Sequence, residues 1–303
     1  MKFVVTGGAG FIGSNITRLL IKKGHNVDII DNLHTGKKEN IKEVIDEVNF
    51  YQIDTRNKKE LEKIIKNYDG IFHEAALTAV PESFEKPQEY YDVNVMGTKN
   101  IFDIAEKEKI RVVYASSSSI YGNAKSIPIK EDADKKPINP YGQTKLDDED
   151  LVEKNSTNNF SIIGLRYFNV YGIGQTGTYA GVITKFLENI KNKKPFIING
   201  NGNQIRDFIH VRDIAKANLA AMENKIGRGF FNIGTEVATS INDLAKLMID
   251  LSDHQQETTH GPPLEGDVEI SQADMSLTRK SFNWKHEINL TDGLRDLIQD
   301  YLS

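Results

Sequence analysis

Tyr141 and Lys145 form a YxxxK pair at the start of the helical run YGQTKLDDEDLVEKN, and four-residue spacing on a helix puts both side chains on one face. A phenol titrates near 10 and is a poor base at neutral pH. Lowering that value by ~3 units requires about 4 kcal/mol of preferential stabilisation of the phenolate. A lysine ammonium one turn away supplies part of this, and a second nearby positive charge would supply the rest. Tyrosine and lysine at this spacing also commonly do no more than cover a helix surface, so the pair is read through what surrounds it. Ser116 to Ser119 close the apolar stretch IRVVYASS, just before Ile120, Tyr121 and Gly122. A hydroxyl at such a strand end could relay a proton between a substrate hydroxyl and the phenolate.

The second positive charge is suggested by the first thirteen residues. KFVVTGGAGFIG is an apolar run that breaks into glycines, and the glycines open a helix. Gly7 suits the tight turn, Gly10 lets backbone approach a pyrophosphate, and Gly13 lets the helix pack closely on the strand, while the unpaired N–H groups of the helix start attract the anion. About 20 residues on, NVDIID ends at Asp31, whose carboxylate can accept from both hydroxyls of an adenosine ribose. Strand, glycines, helix and acid together read as a dinucleotide site, and an oxidised nicotinamide ring carries a positive charge.

These groups need a scaffold that presents strand ends to one crevice. Helices and strands alternate through the first half. SNITRLLIKKG is followed by strand NVDIID, helix ENIKEVIDEV, strand VNFYQID, helix KKELEKIIKN and strand GIFHEAA, then a long helix from Pro87 to Lys109 and strand IRVVYASS. This order predicts an α/β fold, a Rossmann-type doubly wound parallel sheet. Gly122 to Pro140 reads as a surface loop, and a single strand, FSIIGLRYFNVYG, closes the half. Beyond it glycine and asparagine cluster and short strands mix with helices. We expect residues 1–170 to form the dinucleotide domain and 171–303 a smaller mixed α/β substrate domain over the carboxyl ends of the sheet, with some segments returning to the first. In the long helix Tyr90, Val93, Val95, Ile101, Phe102 and Ile104 cover more than one face, which suggests burial on the sheet and on something else, a partner subunit being one candidate.

The 303 residues carry 39% apolar and 27% charged side chains and a net charge of −5. That balance suits a globular protein and gives no reason to expect a nucleic-acid partner. Zero cysteines exclude disulfides and thiolate metal sites, no apolar run approaches the ~18 residues of a membrane span, and a cytoplasmic protein is expected. His73 and His210 read as structural residues, His34 follows the ribose acid, and no spacing assembles a metal site.

GGAGFIG, Asp31 with NLHTG, HEAA, ASSSSIYG, YGQTK, LRYFNVYG, RDFIHVRD and FNWKHEINLTDGL occur in order along nearly the whole chain. In that order they resemble the extended short-chain dehydrogenase/reductase family, specifically nucleotide-sugar epimerases of the UDP-glucose 4-epimerase type. The resemblance implies NAD as cofactor and a UDP-hexose as substrate. It would place Gly7, Gly10, Phe11 and Ile12 at the pyrophosphate, Asp31 and Asn32 at the adenosine ribose, and Ile53 and Asp54 at the adenine. Ala75, Ala76, Thr78 and Asn94 would lie along the cofactor, and Tyr141 and Lys145 would touch its nicotinamide ribose. Ser117, Tyr141 and Lys145 would be catalytic, and Ser117, Asn169, Arg206 and Ser271 would meet the substrate. Asn169 and Arg206 would hold the diphosphate, and an arginine fork suits a phosphate on general grounds; the plainer reading of Arg206 is a salt bridge to Asp207 or Asp213.

Where related dehydratases carry Asp-Glu after the catalytic hydroxyl, and decarboxylases keep the Glu, this chain has Ser118 and Ser119, so the resemblance favours epimerisation. Two positions depart from the family. Leu264 stands where an arginine usually precedes the Gly-Asp pair, and Asn199 where an aromatic often lies beside the base. The implied chemistry is transient oxidation of a UDP-hexose at C4, with C4 inverted. Rival readings are an oxidoreductase that releases its product and a non-catalytic dinucleotide sensor. The resemblance also implies a two-fold dimer through the long helix and the helix after Tyr141. At Ser271, epimerases restricted to glucose and galactose tend to carry tyrosine, and those handling N-acetylhexosamines a small residue.

Overall fold

The structure, a computed structural model, describes residues 1–155, 160–175, 181–253, 255 and 257–302. The apolar run Lys2–Thr6 forms β1, and α1 (Phe11–Lys22) returns the chain to β2 (Asn26–Ile30), parallel to β1 with Phe3 opposite Val27. β3 (Val48–Tyr51), α2 (Lys58–Ile64), β4 (Gly70–His73), α3 (Val80–Glu85), α4 (Pro87–Tyr90), α5 (Gly97–Glu108), β5 (Arg111–Ser117), α6 (Pro140–Asn155) and β6 (Ile162–Tyr167) follow. The second half contributes β7 (Asn169–Tyr171), α7 (Val182–Lys191), β8 (Ile197–Asn199), β9 (Ile205–Arg206), β10 (Phe208–His210), α8 (Val211–Glu223) and β11 (Arg228–Ile233). After these come β12 (Thr239–Ser240), α9 (Ile241–Ser252), β13 (Thr259–Gly261), β14 (Ile270–Ser271), α10 (Ser276–Phe282) and α11 (Leu290–Leu302).

Seven strands make one sheet in the order β11-β6-β5-β4-β1-β2-β3, all parallel. Successive strands run outward from β1 on one side and from β4 on the other, so the chain's direction of winding reverses between them. At such a reversal the connections leave to opposite faces and open a crevice at the carboxyl ends. On one face Phe3, Ile16, Leu20, Ala217 and Met222 form an apolar layer under α1 and α8. On the other, Val4, Leu61, Ile101, Val112 and Val152 form a second layer under α2, α5 and α6. A third cluster belongs to the second half, where Phe186 and Phe196 stack at 4.2 Å beside Leu244, Met248 and Leu294. The small sheets β10-β7, β12-β9-β14 and β13-β8 accompany it. β11 lies at the edge of the main sheet, Arg228 opposite Ile162.

Three local expectations need correction. The ENIKEVIDEV helix is two single 3-10 turns, Lys38–Ile41 and Ile45–Glu47. The chain there is pinned to the glycine loop, with Lys37 N and Asn40 Nδ2 both donating to the Ala9 carbonyl at 3.0 and 2.8 Å. Ile41 and Val44, three apart, pack together on Ala9 and Ile29, a spacing that the tight 3-10 turns bring onto one side. FSIIGLRYFNVYG is two strands in two sheets. Phe168 N still donates to Ile233 O (3.0 Å), but Asn169 N donates to Asp207 O (2.9 Å), and a run apolar on both faces carries no periodicity to mark the change of partner. The long helix is continuous from Pro87 to Glu108, but Tyr91–Met96 is wound as a π-helix.

Candidate active site

The glycine loop is shaped by contacts that leave no room for a side chain. Gly7 has φ +67°, and a Cβ there would lie 2.8 Å from Ala75 N, so the loop after β1 presses against the segment after β4. A Cβ on Gly13 would come within 2.2 Å of the Gly7 carbonyl oxygen, so α1 can start this close to the loop only with glycine there. Beside the loop opens a cleft of about 510 Å³, a common size for a small-molecule site. It is lined by Gly7 and Gly10 from the loop, by Phe11 and Ile12 at the start of α1, by Asp31, Asn32 and Ile53 just after β2 and β3, and by Ala75, Ala76 and Thr78 after β4.

Asp31 is 6% exposed. Its carboxylate accepts from Ala9 N (3.0 Å) and Leu33 N (2.8 Å), which orients it on the cleft wall with lone pairs to spare. Burial raises its pKa, and those two backbone bonds oppose the rise. Asp54 lies behind Asn32, whose Nδ2 donates to it at 2.9 Å. Arg56 grips both Asp54 oxygens at 2.9 and 2.8 Å and holds this carboxyl well below the usual range. Asn94 is fully buried behind the wall, its amide bonded to Leu77 N (2.8 Å), Leu77 O (2.9 Å) and Thr144 Oγ1 (3.0 Å). Through it the π-helical turn ties the end of β4 to α6.

Tyr141 stands at the second position of α6 because Asn139 caps that helix. Its Oδ1 accepts from Gly142 N at 2.7 Å, and Pro140 occupies the first turn where its missing N–H costs nothing. A Cβ on Gly142 would lie 2.7 Å from Ser119 O, so the helix start touches the 3-10 turn Ser118–Tyr121. The Tyr141 helix and the serine run therefore meet backbone to backbone. Ser117, 7% exposed, ends β5, and its Oγ contacts Ser119 Oγ (3.0 Å) and accepts from Ser119 N (3.1 Å). Ser116 points the other way, donating to Glu149 Oε1 at 2.8 Å. Both Glu149 oxygens are forked by Arg166 from β6, each contact 2.8 Å. This buried pair clamps α6 to the sheet beneath the serines. Lys145 is 3% exposed, with its Nζ 3.3 Å from Asp148 Oδ2.

Residues beyond those singled out from sequence also face the cleft, among them Lys37, Arg56, Glu74 and Gln175. Glu74 accepts from Tyr167 OH (3.1 Å), which in turn accepts from Asn218 Nδ2 (2.7 Å). Burial pushes the Glu74 carboxyl up to about 8 against the opposing Tyr167 bond and Lys145 charge. Glu74 lies within the HEAA segment, but composition and spacing carry no sign that its acid would be desolvated. His73 has partners for both ring nitrogens, Thr6 at 2.6 Å and Thr98 at 2.8 Å, and burial pushes it down to about 3. His210 Nδ1 accepts from Arg212 N at 3.1 Å and caps α8.

In the second half, Asn169 N bonds Asp207 O, which sets Asn169 beside Arg206. The ion pair of Arg206 is with Asp267, not with Asp207 or Asp213. Asp207 accepts from Thr235, Glu236 and Ala273, and Asp213 from Glu287 and Ile288. Ser271 is 4% exposed and lies opposite Arg206 across the β14–β9 pairing. Leu264 is 45% exposed. Ser117, Tyr141 and Lys145 are not themselves among the residues lining that cleft, though the Lys145 charge acts on Glu74 in its wall, while Ser271 pairs with Arg206 in the small strands and Asn169 bonds the neighbouring Asp207.

Residues 3–234 match the model of the NAD dependent epimerase/dehydratase family. A protein of Methanocaldococcus jannaschii provisionally named a UDP-glucose 4-epimerase is 39% identical over 301 residues, covering 97% of this chain and 96% of its own. The solved UDP-glucose 4-epimerase of Thermotoga maritima, with UDP-glucose, superposes with a TM-score of 0.94 at 32% identity, over 99% of this chain and 98% of that one. The UDP-N-acetylglucosamine 4-epimerase of Methanobrevibacter ruminantium, in complex with UDP-N-acetylmuramic acid, gives 0.93 at 34%, over 98% and 97%.

Proposed function

Because this chain belongs to the NAD-dependent epimerase/dehydratase family, we propose that it inverts C4 of a UDP-hexose, UDP-glucose and UDP-galactose first, and keeps its NAD between turnovers. The observation that carries this reading is the backbone contact between the Tyr141 helix and the serine turn at Gly142, in a chain that also holds a cleft whose walls suit a dinucleotide. Bound NAD supplies the acceptor, and then the donor, of the C4 hydride. Tyr141 takes the C4 hydroxyl proton through or beside Ser117 and returns it after the 4-keto sugar has turned about its link to the diphosphate. Lys145 favours the phenolate and holds the nicotinamide ribose. Asn169 and Arg206 grip the diphosphate while the sugar stays free to turn, which places binding energy on the part of the substrate that does not react. With Ser118 and Ser119 after Ser117, that turn offers no carboxyl for dehydration or decarboxylation. Incubation with UDP-glucose and UDP-galactose, reading sugar identity and NADH absorbance together, tests the function. Interconversion without net NADH is expected, and net NADH with a released keto sugar would contradict it.

Asp31 favours NAD over NADP, since a 2′-phosphate would sit against its carboxylate and juxtaposed like charges cost several kcal/mol. NADP should bind at least about tenfold more weakly in a titration, despite Lys37 on the cleft rim. Equal affinities would remove Asp31 from the ribose.

Ser271 supports acceptance of N-acetylated sugars, because its side chain is small and buried opposite Arg206, where a phenol would take up more room. Ser271→Tyr should lower kcat/KM for UDP-GlcNAc relative to UDP-glucose by roughly 5- to 200-fold, the equivalent of ~1 to 3 kcal/mol of overpacking. An unchanged ratio would place the gate elsewhere.

The working unit is a homodimer in the cytoplasm, paired through the Pro87–Glu108 helix and α6. Much of the helix's apolar surface is used within the chain, where Tyr90, Ile101 and Phe102 are buried, but Phe84, Tyr91 and Met96 remain 37 to 42% exposed nearby. Sedimentation at micromolar concentration should give twice the 34.1 kDa chain mass, and a monomer would contradict the pairing. No helix among the described residues is long and apolar enough to cross a membrane.

A further inference from the structure

Asp148 has no part in the chemistry assigned above, yet it lies on the reactive stripe of α6. At about 100° per residue, positions 141, 145 and 148 fall within ~60° of one another around the helix. Its side chain is 0% exposed, that of Lys145 4%, and the two meet at 3.3 Å. Asp148 Oδ1 has no hydrogen-bond partner among the described residues, so the ammonium is the principal group this buried acid answers to. We propose that Asp148 is a positioning residue that holds the Lys145 ammonium in place and, by its own charge, sets how strongly that ammonium favours the Tyr141 phenolate. The inference rests on the roles proposed for Tyr141 and Lys145.

The surroundings leave this pair in control of the local field. On α6 itself, Glu149 is neutralised by Arg166 and by Lys135 at 3.0 Å, and Asp147 accepts from Gln143. Facing Asp148 from β5 is the fully buried Tyr114, and burial pushes its phenol up, out of the working range. Beyond Lys145 stand His73 at the end of β4 and Glu74 just after it; burial keeps the imidazole uncharged at neutral pH and pushes the Glu74 carboxyl up to about 8. At the outer end of the α5–α6 contact, Lys99 and Asp103 pair with each other at 2.8 Å. Tyr90, from the long helix, is raised by burial and bonds Ala79 O.

With Asp148 ionised, the Lys145–Asp148 pair is neutral and Tyr141 feels little of the lysine charge. With Asp148 protonated, the ammonium acts unopposed. Burial, partly offset by Lys145, brings the Asp148 carboxyl up to about 7, so the change between the two states falls in the neutral range.

Asp148→Asn keeps the volume and an acceptor for Lys145 but removes the charge. The ultraviolet phenolate band of the NAD-loaded protein is titrated, and the Tyr141 component is isolated by subtracting Tyr141→Phe in the same background. Its midpoint should fall by about half a unit to one unit in Asp148→Asn, and the pH–kcat profile for the UDP-sugar should shift to acid by the same amount. An unmoved or raised midpoint in the folded variant would overturn the proposal. Asp148→Ser serves as a second neutral variant, and if neither folds, Asp148 belongs to stability and the positioning role falls. A Tyr141→Phe enzyme that still turns over would instead remove the reading beneath it, an outcome visible without any change at Asp148.

Discussion

Tyr141→Phe should lower kcat by at least about 10³-fold while Kd for NAD and for UDP-glucose changes by less than about threefold. Phenylalanine keeps the ring and its packing at the second position of α6, so the Asn139 cap, the Gly142 contact with Ser119 and the Lys145–Asp148 pair all survive. What is lost is the only group proposed to accept the C4 hydroxyl proton. That interaction exists in the transition state and hardly at all in the bound ground state, so its removal falls on kcat rather than on affinity. Ser117→Ala should lose less, on the order of 10²-fold, because Ser117 shares the proton with a phenolate that remains. Single-turnover measurements of sugar oxidation alongside calorimetric Kd values separate the two cases. A near-normal rate in Tyr141→Phe would end the mechanism, and a large rise in Kd would make Tyr141 a binding residue.

The largest effect on stability is expected at the clamp behind the serines. Glu149→Ala should destabilise the protein by about 3 to 5 kcal/mol, because it strands the guanidinium of Arg166, 1% exposed, without its carboxylate. For a chain of this size that is a fall in Tm on the order of 10 °C. Arg166 would keep Tyr121 OH (2.7 Å) and Glu131 O (2.8 Å), neither of which is an anion. Ser116 would also lose its acceptor, so the end of β5 and the start of α6 should loosen together and activity should fall with stability. Glu149→Leu combined with Arg166→Met should recover much of the lost stability, since apolar replacement of a whole buried pair is often near neutral. Thermal unfolding of the single and double variants decides it. Equal Tm values for Glu149→Ala and wild type would mean that the clamp contributes nothing. Lys135, whose side chain is 25% exposed, bonds the same carboxylate at 3.0 Å, and its removal should cost far less.

The glycine loop was legible in the residues themselves, because Gly7 and Gly13 answer local demands of backbone geometry and close approach that no other residue meets. The alternation of apolar runs along the first half likewise carried the parallel sheet, since strands buried on both faces and amphipathic helices differ in period. The start of the Tyr141 helix was readable from its i, i+4 pair. Other features depended on distant partners. Whether residues 39–48 would wind as α-helix turned on the Ala9 carbonyl, and the change of sheet at Phe168 on Ile233 and Asp207. The partner of Arg206 proved to be Asp267, 61 residues away. The same holds for chemistry. Glu74 and Asp148 look in the sequence like any surface acids, and only the packed structure buries Asp148 completely and sets Glu74 half-buried in the cleft wall, which raises both carboxyls toward neutrality. Local conformation is set by neighbours along the chain and is written in residue order. Desolvation and ion pairing are set by neighbours in space, and so they are decided only once the chain has folded.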